Sequence, residues 1–109
     1  MKTGYAYIWE YLVRSDSVGE FETLYGSVGT WADLFSQHDG YVRTELHRDI
    51  QMPGRYVTVD YWRSEEAFTA FREAFASDFE ALDKRCEKLT IEERHLGEFS
   101  PVRQEGQER

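Results

Sequence analysis

From Thr3 to Val13 the chain alternates without producing a polar side. Tyr5, Tyr7, Trp9, Tyr11 and Val13 fall on one face of an extended segment, and Ala6, Ile8 and Leu12 share the other with Glu10. A strand with one wet face would alternate apolar and polar residues, so this pattern predicts a strand covered on both sides. After a turn at 14–17 the period changes. Phe21, Leu24, Tyr25 and Val28 follow helical spacing behind Ser17 and Glu20, which stand at capping-box distance. Gly26 and Gly29 weaken the end of that helix, and Trp31, Leu34 and Phe35 predict a short second piece to about Gln37.

Tyr41 to Arg48 reads as a second strand, with Val42, Thr44 and Leu46 opposite Tyr41, Arg43, Glu45 and His47. Pro53-Gly54 closes a hairpin loop, and the β-branched and aromatic run Arg55 to Trp62 is a third strand. Ser64 is an N-cap residue for a helix from Glu65 to about Lys88, where Phe68, Phe71, Phe75, Phe79, Leu82 and Cys86 step by three or four. Ser77 and Glu80 repeat capping-box spacing inside it, which predicts a kink or restart near Ser77. Thr90 to Leu96 is a weaker fourth strand. Residues 1–98 therefore read as one domain and 99–109 as a polar tail.

The order β-α-β-β-α-β predicts an α+β fold, a ferredoxin-like sandwich with a four-stranded antiparallel sheet and both helices on one face. Such a sheet leaves its other face bare. The apolar second face of the first strand calls for a partner, and a two-fold homodimer joined through the sheet faces is the economical arrangement.

Composition narrows the function classes. The chain has 109 residues with three Trp and seven each of Tyr and Phe, more large rings than a small core needs, so some should line a pocket or an interface. A net charge of -8 disfavours nucleic acid and anionic membranes as partners. No stretch is apolar enough to span a bilayer, and the first residues lack the apolar core of a signal peptide, so a cytoplasmic location is expected. The single cysteine, Cys86, allows no intramolecular disulfide, and its place among apolar helix positions predicts a buried, inert thiol. His38, His47 and His95 show no metal-ligand spacing, and neither a G-x-S-x-G nor a P-loop is present.

The spacing of Val13 to Phe21, Gly40-Tyr41 opening the second strand, and Trp62-x-Ser64-x-x-Ala67-Phe68 after the third together resemble the antibiotic biosynthesis monooxygenase family of dimeric α+β barrels, over roughly residues 5–98. The resemblance implies a homodimer with its sheets face to face and a pocket in each subunit between sheet and helices. Some members oxidise aromatic polyketides or quinols with O2 and carry no metal or flavin; others bind and degrade haem. The haem-degrading branch relies on an Asn in the first strand, a Trp in the second helix and a His later in it. This chain has no asparagine, Trp9 and Phe71 stand at the first two positions, and no histidine lies between Ala67 and Lys88.

The expected activity is therefore cofactor-independent oxidation of a small apolar aromatic ligand, anthrone- or quinol-like. Such a substrate, once deprotonated, can itself pass an electron to O2; the protein must hold it, exclude water and stabilise an anion. Trp9, Tyr11, Trp31, Trp62 and Phe71 are the candidate walls, and His47, His95, Asp60 and Arg43 the candidate proton-handling groups. Plain core packing is the competing role for each ring, and exposed positions for each histidine. Two alternatives remain: a barrel that binds a small molecule without catalysis, and an RNA-recognition domain, which shares the element order but would need a more basic chain than this one.

Overall fold

The computed structural model describes residues 4–102. Thr3 of the predicted first strand and residues 103–109 of the predicted tail lie outside them. The elements are β1 (Tyr5–Val13), α1 (Val18–Tyr25), α2 (Thr30–Phe35), β2 (Tyr41–Arg48), β3 (Arg55–Trp62), α3 (Glu65–Ala74), α4 (Ala76–Cys86), a 3-10 turn (Glu87–Leu89) and β4 (Thr90–Phe99). The strands form one antiparallel sheet in the order β2-β3-β1-β4, and the helices pack on one face of it, the ferredoxin-like arrangement that the element order predicts.

The helix-facing side of the sheet is built from the odd positions of β1 and the even positions of β3. Tyr5 pairs with Trp62, Tyr7 with Asp60, Trp9 with Thr58 and Tyr11 with Tyr56. Onto these rings pack Phe21 and Tyr25 of α1, Trp31 and Phe35 of α2, and Phe68 and Phe71 of α3. Ser64 starts α3 as the sequence predicts, its hydroxyl accepting from the Ala67 amide at 3.0 Å, and Glu65 and Glu66 occupy the first turn, where the helix dipole favours them. The two motifs meet in space. Gly40 lies so close to Ala67 that a Cβ at position 40 would collide with the Ala67 methyl, and the Gly40 carbonyl accepts from the Arg63 amide at 2.9 Å. A glycine is needed there for the approach of β2 to α3.

Five local details differ from the sequence reading. Ser17 makes no capping bond; its hydroxyl donates to Asp16 at 3.1 Å instead. The second short helix ends at Phe35, not Gln37. The long helix breaks at Phe75, two residues before Ser77, with φ -117 and ψ 28 and no side-chain cap, while the Phe75 ring stays stacked on Phe71. A bulge between Tyr41 and Arg43 turns Tyr41 to the same face as Thr44 and Leu46, so its ring packs on Phe35 and Trp62. Finally, β4 runs on through Glu98 and Phe99, beyond Leu96. A bulge leaves Leu96 out of register between His95 and Gly97, and Gly97 sits at φ +148, which few other residues adopt. That glycine marks a bend in the strand rather than its end.

The outer face is bare in the single chain and apolar at its middle, with Arg43, Glu45 and His47 of β2 on one flank. Ala6 pairs with Tyr61 and Ile8 with Val59, all partly exposed, and Phe99 is half exposed beside Ala6. Glu10, the one charge of β1 there, is neutralised from both neighbouring strands by Arg55 and Arg94, the latter at 2.8 Å.

Candidate functional site

Between the inner sheet face and the helices lies a cavity of about 230 Å³. Its walls are rings: Tyr7, Trp9 and Tyr11 from β1, Tyr25 from α1, Trp31 and Phe35 from α2, and Phe79 from α4. They form a continuous series. Tyr11 meets Tyr25 at 5.0 Å between centroids, Tyr25 meets Trp31 at 6.0 Å, and Trp31 meets Phe79 edge-on at 5.1 Å. The rest of the lining is polar and divides by depth. Thr44, Thr58 and Asp60 are buried at the sheet, whereas Arg72, Asp83 and Glu93 stand at the solvent side.

Asp60 is the unusual residue. It sits on the core face of a central strand, only 7% exposed, and is in none of the ion pairs made among the described residues. Burial pushes its carboxyl up to about 7, against the opposing pull of a hydrogen bond donated by the Thr44 hydroxyl at 2.6 Å. Thr44 in turn accepts from the Tyr41 hydroxyl at 2.8 Å. The Thr58 hydroxyl beside Asp60 has no hydrogen-bond partner among the described residues. At the rim, burial also raises the carboxyls of Asp83 and Glu93; Glu87 adds to the rise at Asp83, and Arg72 opposes it. The Arg72 guanidinium lies 4.0 Å over the Phe79 ring.

Of the residues singled out from sequence, Trp9, Tyr11, Trp31 and Asp60 come together in this cavity. Trp62 and Phe71 do not line it. Both are 0% exposed and pack on each other at 5.2 Å in the core, so they are not available as ligand walls. Arg43 and His47 lie on the outer sheet face, where both bond to Glu45 at 3.2 and 3.1 Å, with the sheet between them and the cavity. His95 stacks on Trp9 at 5.1 Å but is itself exposed on the edge strand, outside the lining. Thr44, Thr58, Arg72, Asp83 and Glu93 were not anticipated. The available signal was parity: Thr58 and Asp60 share parity with Tyr56 and Trp62, which puts polar groups on a face otherwise given to the core.

Among the described residues no group of three or more His, Cys, Asp or Glu side chains is placed to hold a metal ion. Cys86 is buried and burial raises its thiol, as expected of an inert packing residue. No helix among the described residues is long and apolar enough to cross a membrane.

Comparison with curated protein sequences finds no match. Among solved structures, the chain is similar to SnoaB, a cofactor-independent oxygenase from Streptomyces nogalater, with 22% identity, a TM-score of 0.76, and 97% of this chain and 100% of that chain covered. It is similar to a Bordetella bronchiseptica protein described as a candidate antibiotic biosynthesis monooxygenase, at 24% identity and TM-score 0.74, covering 93% and 99% of the two chains. A dimeric ferredoxin-like protein from an uncultured marine organism matches at 16% identity and TM-score 0.69, covering 94% and 91%. At these identities the structures speak for the fold. The family model for antibiotic biosynthesis monooxygenases matches residues 5–82, which takes in β1, the Gly40–Ala67 contact and all the helices as far as the middle of α4. The chain belongs to the antibiotic biosynthesis monooxygenase family.

Proposed function

We propose that the protein is a cofactor-independent monooxygenase or oxidase of a small electron-rich aromatic molecule, anthrone- or dihydroquinone-like, bound in the ring-lined cavity. The observation that carries this reading is Asp60: a buried carboxyl poised near neutrality at the wall of an aromatic cavity, where a general base for a weakly acidic C–H or phenol is most effective. Family membership supports the reaction type. Trp9, Tyr11, Trp31 and Phe79 hold the ring system flat and keep water out.

The steps balance without a further reagent. The Asp60 carboxylate takes a proton from the substrate, and the resulting anion gives one electron to O2. Substrate radical and superoxide combine at carbon to form a peroxide. Asp60 returns the proton to the distal oxygen, giving a hydroperoxide; its carboxylate then takes the remaining C–H proton as the O–O bond breaks and passes it to the departing hydroxide, so a ring CH2 plus O2 becomes a carbonyl plus water. A dihydroquinone instead gives up two electrons and two protons to form quinone and hydrogen peroxide. Purified, metal-stripped protein should consume O2 with an anthrone or a dihydroquinone faster than the same solution without it, at a rate rising with protein concentration. Background rates across a panel of both substrate types would leave only non-catalytic binding.

We further propose that the working unit is a homodimer joined through the outer sheet face. Ile8, Val59, Tyr61 and Phe99 are the apolar surface that calls for cover, and the structural relative named as dimeric shares the fold. Light scattering at micromolar concentration should give twice the chain mass, and Val59→Glu, which places a charge in the middle of that face, should give a monomer. A monomeric parent protein would contradict the dimer.

A further inference from the structure

The hydroxyls of Tyr41 and Thr44 lead in sequence to Asp60, and their donor directions follow from elementary counting. An ionised carboxylate only accepts, so the Thr44 hydroxyl, 2.6 Å from Asp60 Oδ1, must donate its single proton there. The 2.8 Å contact to Tyr41 can then be made only if Tyr41 donates to Thr44 Oγ1. We propose that Thr44 and Tyr41 are positioning residues, a hydroxyl relay of fixed polarity that keeps Asp60 Oδ1 an acceptor and so leaves Oδ2 as the atom that exchanges a proton with the substrate.

This inference rests on Asp60 being the base. The bulge between Tyr41 and Arg43 is what makes the relay possible, because it returns Tyr41 to the inner face three residues before Thr44. Both side chains are held by packing: Thr44 is 4% exposed, and the Tyr41 ring lies against Phe35 and Trp62. The other titratable groups lining the cavity around Asp60 are Tyr7 and Tyr11 on β1, Tyr25 on α1, Arg72 on α3, Asp83 on α4 and Glu93 on β4, and the variants below leave all of them in place. Without Thr44 the carboxylate loses a charge-assisted hydrogen bond. Without the Tyr41 hydroxyl, Thr44 Oγ1 becomes free to accept, and the protonated acid gains a partner that the wild-type polarity denies it. Both changes favour the neutral acid.

The test is a carbon-13 titration of protein labelled at aspartate carboxyl carbons, with Asp60→Asn identifying the Asp60 signal. Thr44→Val should move the Asp60 midpoint upward by about one pH unit or somewhat more, the equivalent of one hydrogen bond to a charged group. Tyr41→Phe, which removes only the hydroxyl at the far end of the relay, should move it upward by less, and Thr44→Ser should restore the wild-type midpoint. A midpoint unmoved in either Thr44→Val or Tyr41→Phe would overturn the relay. In O2 uptake with an anthrone, the alkaline rise of kcat should shift with the midpoint, and in Tyr41→Phe, whose side chain lies outside the cavity lining, KM should stay constant. If uptake never exceeds background, the oxidase reading fails while the titration still decides the relay.

Discussion

Asp60→Asn is expected to slow O2 uptake by about 10²- to 10⁴-fold, the range that positioned general bases contribute. The change is close to isosteric. The amide oxygen can still accept from Thr44 and the NH2 group takes the place of Oδ2, so ligand binding, read from quenching of Trp9 and Trp31 fluorescence, should stay near the wild-type value. A loss confined to kcat would separate proton transfer from substrate holding. The same substitution should act on stability in the opposite direction. Burial raises the folded-state carboxyl from 3.8 to about 7, so folding favours the protonated acid. Between those two pH values the unfolded chain ionises while the folded one does not, and stability falls as pH rises, with the full penalty in place above about 7. At about 1.4 kcal/mol per pH unit that penalty is on the order of 4 kcal/mol, and asparagine does not incur it. The melting temperature of Asp60→Asn should therefore exceed that of the parent by a margin that grows from pH 4 to pH 8. An inactive variant that is also less stable at pH 8 would mean that Asp60 is a structural residue after all. A group kept at such a disadvantage at neutral pH is what a function-bearing carboxyl in a packed interior entails.

The sheet was legible because alternation is a local property. The double-sided pattern of β1 announced a strand covered on both faces, and the structure shows one face under the helices and the other still apolar and open. The bulges were not legible, since an extra residue in one strand depends on the register of its neighbour. Their effect on the site is large. Without the bulge at 41–43, Tyr41 would stand on the outer face with Arg43, and without a further bulge at Ile91, between Thr90 and Glu92 of β4, strict alternation from the buried Thr90 would turn His95 away from Trp9. Arg43 and His47 were drawn in as candidates by chemistry alone, and parity with the buried Thr44 would have placed them on the far side of the sheet. Thr44 and Thr58 were passed over for the converse reason: threonine is so ordinary in strands that its hydroxyl attracts no notice until the strand's inner face is known. Arg72 and Asp83 stand four residues after Phe68 and Phe79, and the spacing alone did not say which polar neighbours of the phenylalanine stripe reach the cavity with Phe79.

Trp62→Ala is expected to destabilise the fold by about 3–5 kcal/mol, the usual cost of emptying a large buried aromatic site. The whole stability of a domain this size is about 5–15 kcal/mol, so the variant should unfold at much lower urea or not fold at 37 °C. The reason is position. Trp62 closes β3, pairs across the sheet with both Tyr5 and Tyr41, and is surrounded by Phe35, Tyr41, Phe68 and Phe71 with ring centroids 5.2 to 5.6 Å away. It thus ties the first turn of α3, capped by Ser64, to the sheet at the point where Gly40 and Ala67 touch. Trp62→Phe separates packing from any part in binding. It keeps an aromatic ring in the site, and it also removes the indole N–H, which is buried without a hydrogen-bond partner among the described residues. Loss of volume and relief of an unpaired donor work against each other, so the net cost should be under about 1.5 kcal/mol by urea titration. Since the ring reaches no part of the cavity lining, the affinity of Trp62→Phe for an anthrone should equal that of the parent, whereas Trp31→Phe, at the wall itself, should weaken it. Weakened binding in Trp62→Phe at unchanged stability would place the tryptophan back among the ligand walls and would require the cavity to extend under α3.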